Sequence, residues 1–351
     1  MKKTISFIAA TLLGLGAALT SFAQENPKVI RIAFSGAGVG GKPASGSSFL
    51  ATAHQKGFLE QEFAKDGIKV EWSFFVGAGP ATNEALALKK IDFATQGDLP
   101  LTVARSNGLR TRILLKGGQF SRSYIVVPTN SSIQSVADLK GKKFAVMKGT
   151  AGQLRLNRLL EKFGMKESDL RVIDMNDDSA KAALSTGDVD AYITSSTDLV
   201  SRGLVRRIYK IDDPKVNAPS QIWVAEEFEA KYPQIVQRFV NALVRTAVWS
   251  SDEKNRDEQF RLWAKTGTPY SDYKEDFKGD TLRDRLSPLL DEYYVSSLAK
   301  SIAEAKKFRF TRRDVQQEGW VEPKYLQAAL KEQKLEHFWD EFDADGNRKK
   351  K

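Results

Sequence analysis

The stretch KFAVMKGTA, residues 143–151, places a strand, a glycine turn and a helix start next to each other. Residues 143–147 predict a short buried strand, and Gly149 is the second residue after it. Thr150 then precedes an apolar-periodic segment that predicts a helix over residues 151–163. This order is typical of α/β folds, in which ligands bind at the carboxyl ends of the strands.

A similar strand and glycine loop, AFSGA, occurs at residues 33–37. Downstream of each copy, an Ala-Leu pair lies six residues ahead of a β-branched residue followed by aspartate. These pairs are Ala85-Leu86 before Ile91-Asp92, and Ala183-Leu184 before Val189-Asp190. The repetition predicts two similar α/β lobes.

Short runs rich in β-branched and aromatic residues alternate with helical patterns up to residue 225, after which the pattern is almost purely helical. We predict strands at residues 29–34, 68–76, 91–94, 112–115, 124–128, 143–147, 171–174, 189–193, 207–211 and 221–225. Predicted helices lie at residues 49–63, 81–89, 100–107, 151–163, 179–185, 226–249, 257–264, 283–306 and 323–342.

Two extended, proline-containing segments mark where the chain passes between the lobes. The first carries Pro128, and the second carries Pro214 and Pro219. We therefore expect a discontinuous lobe 1 of residues 24–128 and 211–351, and a lobe 2 of residues 129–210. Two crossings make a two-segment hinge, and the helical C-terminal third packs on lobe 1.

The first 23 residues have the features of a secretory signal peptide. A basic start, Met1-Lys2-Lys3, is followed by an apolar stretch over residues 5–19 and by Ser21-Phe22-Ala23, which places small residues before the predicted cleavage site. The apolar stretch is too short to span a bilayer as a helix. We expect export to the periplasm of a Gram-negative cell.

Composition excludes several classes of chemistry. The 351 residues include no cysteine and only two histidines, His54 and His337, so a thiol nucleophile, a disulfide framework and a metal site rich in cysteine or histidine are not expected. No cofactor is predicted. The net charge of +10 is spread along the chain without interleaved aromatic residues, so no nucleic-acid partner is expected.

The segment GAGVGGK, residues 36–42, fits the first seven positions of a phosphate-binding loop. The eighth position needs the hydroxyl of serine or threonine to hold Mg²⁺, and here it is Pro43. The motif lacks the group that its mechanism requires, so a nucleotide site is not predicted.

Small and helix-capping residues cluster after predicted strands in both lobes. Helix starts leave backbone N–H groups without intrahelical acceptors, and the helix dipole favours an anion there. The cluster predicts an anion-binding cleft between the lobes. Its members are Ser47, Ser48, Gly79, Pro80, Asp98, Gly149, Thr150, Thr194, Ser195 and Ser196.

Arg122 lies close to the first predicted crossing. From the hinge, its guanidinium group is able to reach an anion in the cleft and bind a sulfonate or carboxylate with two hydrogen bonds. A solvated surface arginine is an equally good interpretation.

Several segments together resemble the periplasmic solute-binding proteins of ABC importers for sulfonates, taurine and nitrate. The resemblance covers residues 29–249 and is carried by KGFLE (56–60), VEW (70–72), GAGP (77–80), IDFA (91–94), GDLP (97–100), VADLKGKK (136–143), KGTA (148–151) and DVDAY (188–192). It implies a two-lobed periplasmic-binding-protein fold of type II, in which each lobe is a mixed sheet flanked by helices.

The resemblance also implies a function and further site residues. Such a protein is a monomer that closes on one small anionic molecule and presents it to a membrane permease, without catalysis. The family's ligand loops fall on positions already named and add Ser35, Gly36, Ala37, Gly97 and Ala151.

Two departures from the family leave the ligand open. Sulfonate binders usually carry Trp-Asp-Pro where this chain has Ser195-Ser196-Thr197, and the loop over residues 36–48 is longer and richer in glycine. The leading hypothesis is uptake of an organic anion, either sulfonate-like or nitrate-like. The alternatives are binding of a heterocycle that resembles a thiamine precursor, and an exported enzyme on the same fold.

Overall fold

The computed structural model describes residues 25–195 and 198–350, so the predicted signal peptide and Ser196 lie outside the described residues. This part of the chain forms ten strands: β1 (Val29–Phe34), β2 (Lys69–Phe74), β3 (Phe93–Gln96), β4 (Thr111–Gly118), β5 (Ser123–Pro128), β6 (Lys143–Val146), β7 (Arg171–Asp174), β8 (Ala191–Thr194), β9 (Val205–Ile211) and β10 (Ser220–Ala225).

The same residues form fourteen α-helices. They are α1 (Phe49–Lys56), α2 (Phe58–Phe63), α3 (Ala78–Ala87), α4 (Asp98–Ser106), α5 (Ala151–Lys162), α6 (Asp177–Thr186), α7 (Asp198–Ser201), α8 (Glu226–Lys231), α9 (Pro233–Ser251), α10 (Arg256–Ala264), α11 (Tyr270–Asp276), α12 (Leu282–Arg285), α13 (Glu292–Lys307) and α14 (Lys324–Gln333).

The strands form two mixed five-stranded sheets of the same topology. Their orders are β2-β1-β3-β10-β4 and β7-β6-β8-β5-β9. In each sheet, the strand that runs into the glycine loop, β1 or β6, is parallel to both of its neighbours. The fourth strand in each sheet, β10 or β5, is antiparallel to its neighbours. In both cases, the preceding strand along the chain belongs to the other sheet. The two copies of the predicted repeat therefore belong to two lobes of the same architecture.

Sheet membership corrects the predicted boundary at residue 128. Strand β5 pairs with β8 and β9 of the second sheet, and Pro128 lies opposite Val205 as its last paired residue. Pro128 therefore ends a strand of the second sheet and does not begin the crossing. The chain passes between the sheets at residues 119–122 and 212–219.

Four predicted helices are interrupted for local backbone reasons. Gly57, at φ 67°, separates α1 from α2, and Pro233 begins α9 after a break at Tyr232. The predicted helix over residues 283–306 is split into α12 and α13 by a segment that contains Pro288. Lys334, at φ 56°, ends α14 well before residue 342.

The C-terminal helices share the core of the first sheet. Phe239 of α9 stacks on Phe93 of β3 with ring centroids 4.0 Å apart. Trp263 of α10 is buried, and its indole N–H donates to Thr52 Oγ1 of α1 at 3.1 Å. The prediction that the C-terminal third packs on this lobe agrees with these contacts.

Candidate functional site

A cleft of about 510 Å³ lies between the two sheets. Its walls include the residues that follow equivalent strands: Ser35 after β1 and Gly97 after β3 in the first sheet, with Met147 after β6 and Ser195 after β8 in the second. Because both sheets turn the carboxyl ends of these strands toward the cleft, the helix starts of both lobes meet there.

Three helices that begin at this cleft have no side-chain cap. The N-cap residues Gly77 of α3, Gly97 of α4 and Thr150 of α5 make no capping hydrogen bond through a side chain. At the start of α5, the N–H groups of Ala151 and Gly152 have no acceptor within the described residues. The start of α5 therefore offers open backbone donors to an anion in the cleft, and the starts of α3 and α4 face it from the first lobe.

Arg155 lies on the cleft wall, one turn into α5. Its Nε is buried, and its guanidinium group has no hydrogen-bond or ion-pair partner among residues 25–195 and 198–350. Burial lowers the pKa of Arg155, and the carboxylate of Asp98 partly offsets this effect. Arginine nevertheless stays charged in proteins, so the cleft contains a partly buried cation that has no direct ion-pair partner among the described residues, although the carboxylates of Asp98 and Asp177 favour its charge.

Carboxylates at the start of α6 also line the cleft, and that of Asp177 is near enough to Arg155 to favour its charged form. Asp177 accepts a hydrogen bond from the hydroxyl of Tyr192, and burial together with this carboxylate raises the pKa of Tyr192 well above its usual value. Asp178 Oδ2 accepts from the N–H of Gly40 at 2.9 Å, which links the second lobe to the first. Lys181 lines the cleft beside them.

The C-terminal third supplies a further wall that the sequence did not predict. Its members are Thr266, Thr268, Asp272, Tyr273 and Asp276. The glycine-rich loop packs against this wall, since the N–H of Val39 donates to the carbonyl of Thr266 at 2.8 Å. The N–H groups of Gly38 and Gly41 donate to carbonyls within the loop itself. These three amides are therefore not available to a bound phosphate.

Most of the predicted site residues lie together in the cleft. Those on its wall are Ser35, Gly36, Ala37, Ser47, Gly79, Gly97, Thr150, Ala151, Thr194 and Ser195. Ser48, Pro80 and Gly149 are next to wall residues but are not part of the wall. The N–H of Gly149 donates to Gln153 Oε1 at 2.8 Å, so this amide is already used.

Two charged residues are placed differently from the prediction. Asp98 is buried in an ion pair with Arg158, with 2.9 Å between Oδ2 and Nη1. Arg122 donates to Asp280 Oδ1 at 2.6 Å, and so it holds the first crossing against the C-terminal third. Both side chains are engaged by partners within the protein, and neither lines the cleft.

Ser48 caps a helix, since its Oγ accepts from the N–H of Ala51 at 3.1 Å. We expect Ser48→Ala to lower the free energy of unfolding by about 1 kcal/mol, because the first turn of α1 loses its acceptor. Ser48→Asn, which supplies another acceptor, should retain most of that stability. Chemical denaturation of the three proteins measures both changes, and equal losses in the two variants would contradict the capping role.

Among the described residues there is no cluster of three or more side chains able to hold a metal ion. No helix in this part of the chain combines the length and apolar character needed to cross a bilayer.

Two mixed α/β lobes that exchange antiparallel strands around a cleft define a two-lobed periplasmic-binding-protein fold. The model of the NMT1/THI5-like family matches residues 45–253, more than half of the chain. The chain belongs to this family.

Known proteins of similar sequence or structure agree with this assignment. A Bacillus subtilis protein described as an aliphatic sulfonates-binding protein is 29% identical over 325 residues, 90% of this chain and 92% of its own. The structure of a periplasmic sulfonate-binding protein from Methylobacillus flagellatus is 31% identical, with a TM-score of 0.76 over 90% of this chain and 98% of its own. The desulfurization enzyme DSZB, 19% identical with a TM-score of 0.64 over 87% and 99%, shares the fold.

Proposed function

We propose that this protein captures a small organic anion, an aliphatic sulfonate or a similar oxyanion, between its two lobes and delivers it to an ABC importer. The observation that carries the proposal is Arg155 on the cleft wall, a partly buried guanidinium without a hydrogen-bond partner among the described residues, on the same helix as the open amides of Ala151 and Gly152. A sulfonate has three acceptor oxygens and one negative charge, which matches a forked donor and a helix start.

The names of the relatives support the same ligand class and a periplasmic location. We propose that the chain acts there as a monomer, with the permease as its protein partner. We also propose that it binds its ligand without chemical conversion. DSZB shows that an enzyme can share this fold, but here the chain has no cysteine and neither histidine lines the cleft.

The lobes are proposed to close by rotation about residues 119–122 and 212–219. Both segments lie between strands of different sheets. A ligand shifts the balance between open and closed arrangements only through contacts that are better in the closed one. Donors contributed by both lobes meet that condition, because an anion contacts all of them only when the cleft is closed.

A ligand screen on the purified protein tests the proposal. Thermal unfolding and calorimetry are measured with ethanesulfonate, nitrate, propionate and a neutral thiazole. We expect ethanesulfonate to stabilise the protein, by about 2.7 kcal/mol at 100 times its Kd. Stabilisation by the thiazole alone would instead support a ligand related to thiamine precursors. Release of sulfite from the sulfonate would support an enzyme.

A further inference from the structure

Helix α5 begins at the cleft and continues into a buried contact with the other lobe. Leu154 of α5 packs with Leu99 of α4 and Ala305 of α13, and all three side chains are fully buried. The same helix carries Arg155, whose Nε is buried without a partner. The position of α5 relative to α4 and α13 therefore determines where Arg155 lies.

Arg158, three residues after Arg155, anchors this contact. Its Nε donates to Glu304 Oε2 at 2.5 Å, and its Nη2 donates to Ser301 Oγ at 2.7 Å. Its Nη1 lies 2.9 Å from Asp98 Oδ2, which also accepts from Ser301 Oγ at 2.9 Å. Glu304 and Ser301 belong to α13, Asp98 belongs to α4, and Arg158 belongs to the opposite lobe.

Each member of this network is buried in the structure. Burial alone lowers the pKa of Arg158, but the carboxylates of Asp98 and Glu304 more than offset this and raise it. A desolvated guanidinium with two carboxylates is stabilising only while its geometry is kept. These contacts join α5 of one lobe to α4 and α13 of the other, so they are complete only while the two lobes stay together.

We propose that Glu304 and Ser301 are positioning residues for the ligand. By holding Arg158, they keep α5 against α4 and α13 in the unliganded protein, and so they place Arg155 and the open amides of α5 in the cleft before a ligand arrives. Through Glu304 and Ser301, the C-terminal third thus contributes to ligand binding. This proposal rests on the proposed function. A ligand binds more tightly when the binding-competent arrangement is already populated, because less of its binding free energy is spent on reaching that arrangement.

The test compares Glu304→Gln and Ser301→Ala with Lys307→Met. Lys307 of α13 forms an ion pair with Glu161 of α5 at the same interface, but both side chains are largely exposed, so little is expected from its loss. Small-angle scattering of the unliganded proteins measures closure. Calorimetry and stopped-flow mixing with ethanesulfonate measure Kd and the dissociation rate.

We expect both network variants to have a larger radius of gyration without ligand. We also expect them to bind about 10- to 100-fold more weakly, mainly through faster dissociation. Lys307→Met should match the unsubstituted protein within about twofold.

An unchanged radius of gyration and an unchanged Kd in both network variants would overturn the proposal. A lower thermal stability of the unliganded variants with an unchanged Kd would also overturn the proposal. The network would then stabilise the fold in the open and closed arrangements alike, without placing Arg155 for the ligand. If the unsubstituted protein fails to bind ethanesulfonate, the proposed function is contradicted. The scattering comparison still decides whether the network holds the lobes together.

Discussion

Arg155→Met is expected to weaken ethanesulfonate binding by roughly 100-fold or more. Methionine matches the unbranched stem of the side chain and removes the guanidinium group, with its charge and all of its donors. A sulfonate in the closed cleft then stays desolvated without a counter-ion. Removing one partner of a buried ion pair costs about 3 kcal/mol or more, which corresponds to a factor of roughly 100 in Kd. Calorimetry on the folded variant measures the change.

The unliganded protein should tolerate this substitution. Burial lowers the pKa of Arg155, so its charge is disfavoured when no anion is bound, and removing the charge should not lower thermal stability. Arg155→Lys should bind with intermediate affinity, because it keeps the charge but loses the forked geometry. Arg202→Met, at an arginine of the same lobe whose side chain is 61% exposed, serves as the matched control. An unchanged Kd in Arg155→Met would remove this residue from the site.

Local sequence patterns predicted the strands, turns and helix starts well, because neighbouring residues determine these elements. A strand that runs into Gly149 and Thr150 specifies a turn and a helix start whatever the rest of the chain does. Since β1 and β6 carry the same pattern, the two sheets and the cleft between their strand ends followed from it. The strand β5 was found, but its sheet was not, because pairing partners are set by tertiary contacts.

Charged side chains were predicted least well, because their roles depend on distant partners. Asp98 and Arg122 occur at positions that suit a ligand contact. Asp98 accepts instead from Ser301, which is 203 residues away along the chain, and Arg122 pairs with Asp280, which is 158 residues away. Arg155 was missed for the same reason. One signal was present, since it lies one turn after the glycine-threonine helix start, where a side chain on the correct face reaches the cleft.

Gly97→Ala is expected to weaken ligand binding strongly while leaving each lobe folded. Gly97 has φ −76° and ψ 169°, which alanine adopts without strain, so the first lobe should fold normally. A Cβ atom at this position would lie 2.5 Å from Cβ of Ala151 on the other lobe. Carbon atoms do not approach so closely, so the lobes must stay apart and the donors from the two sides no longer meet on one anion. We expect Kd to rise by roughly 100-fold or more.

The double variant Gly97→Ala with Ala151→Gly separates a block to closure from damage to the first lobe. Removing Cβ of Ala151 takes away the atom that the new methyl group meets, and the next contacts, to Cα and N of Ala151, are ordinary ones at 3.7 and 3.8 Å. Ala151→Gly alone is expected to cost little, because the residue lies in the first turn of α5. Binding by the double variant should therefore return to within about tenfold of that of Ala151→Gly, with a negative coupling between the two sites. If the double variant binds no better than Gly97→Ala, the methyl group acts within the first lobe, and close approach of residues 97 and 151 is not what closure requires.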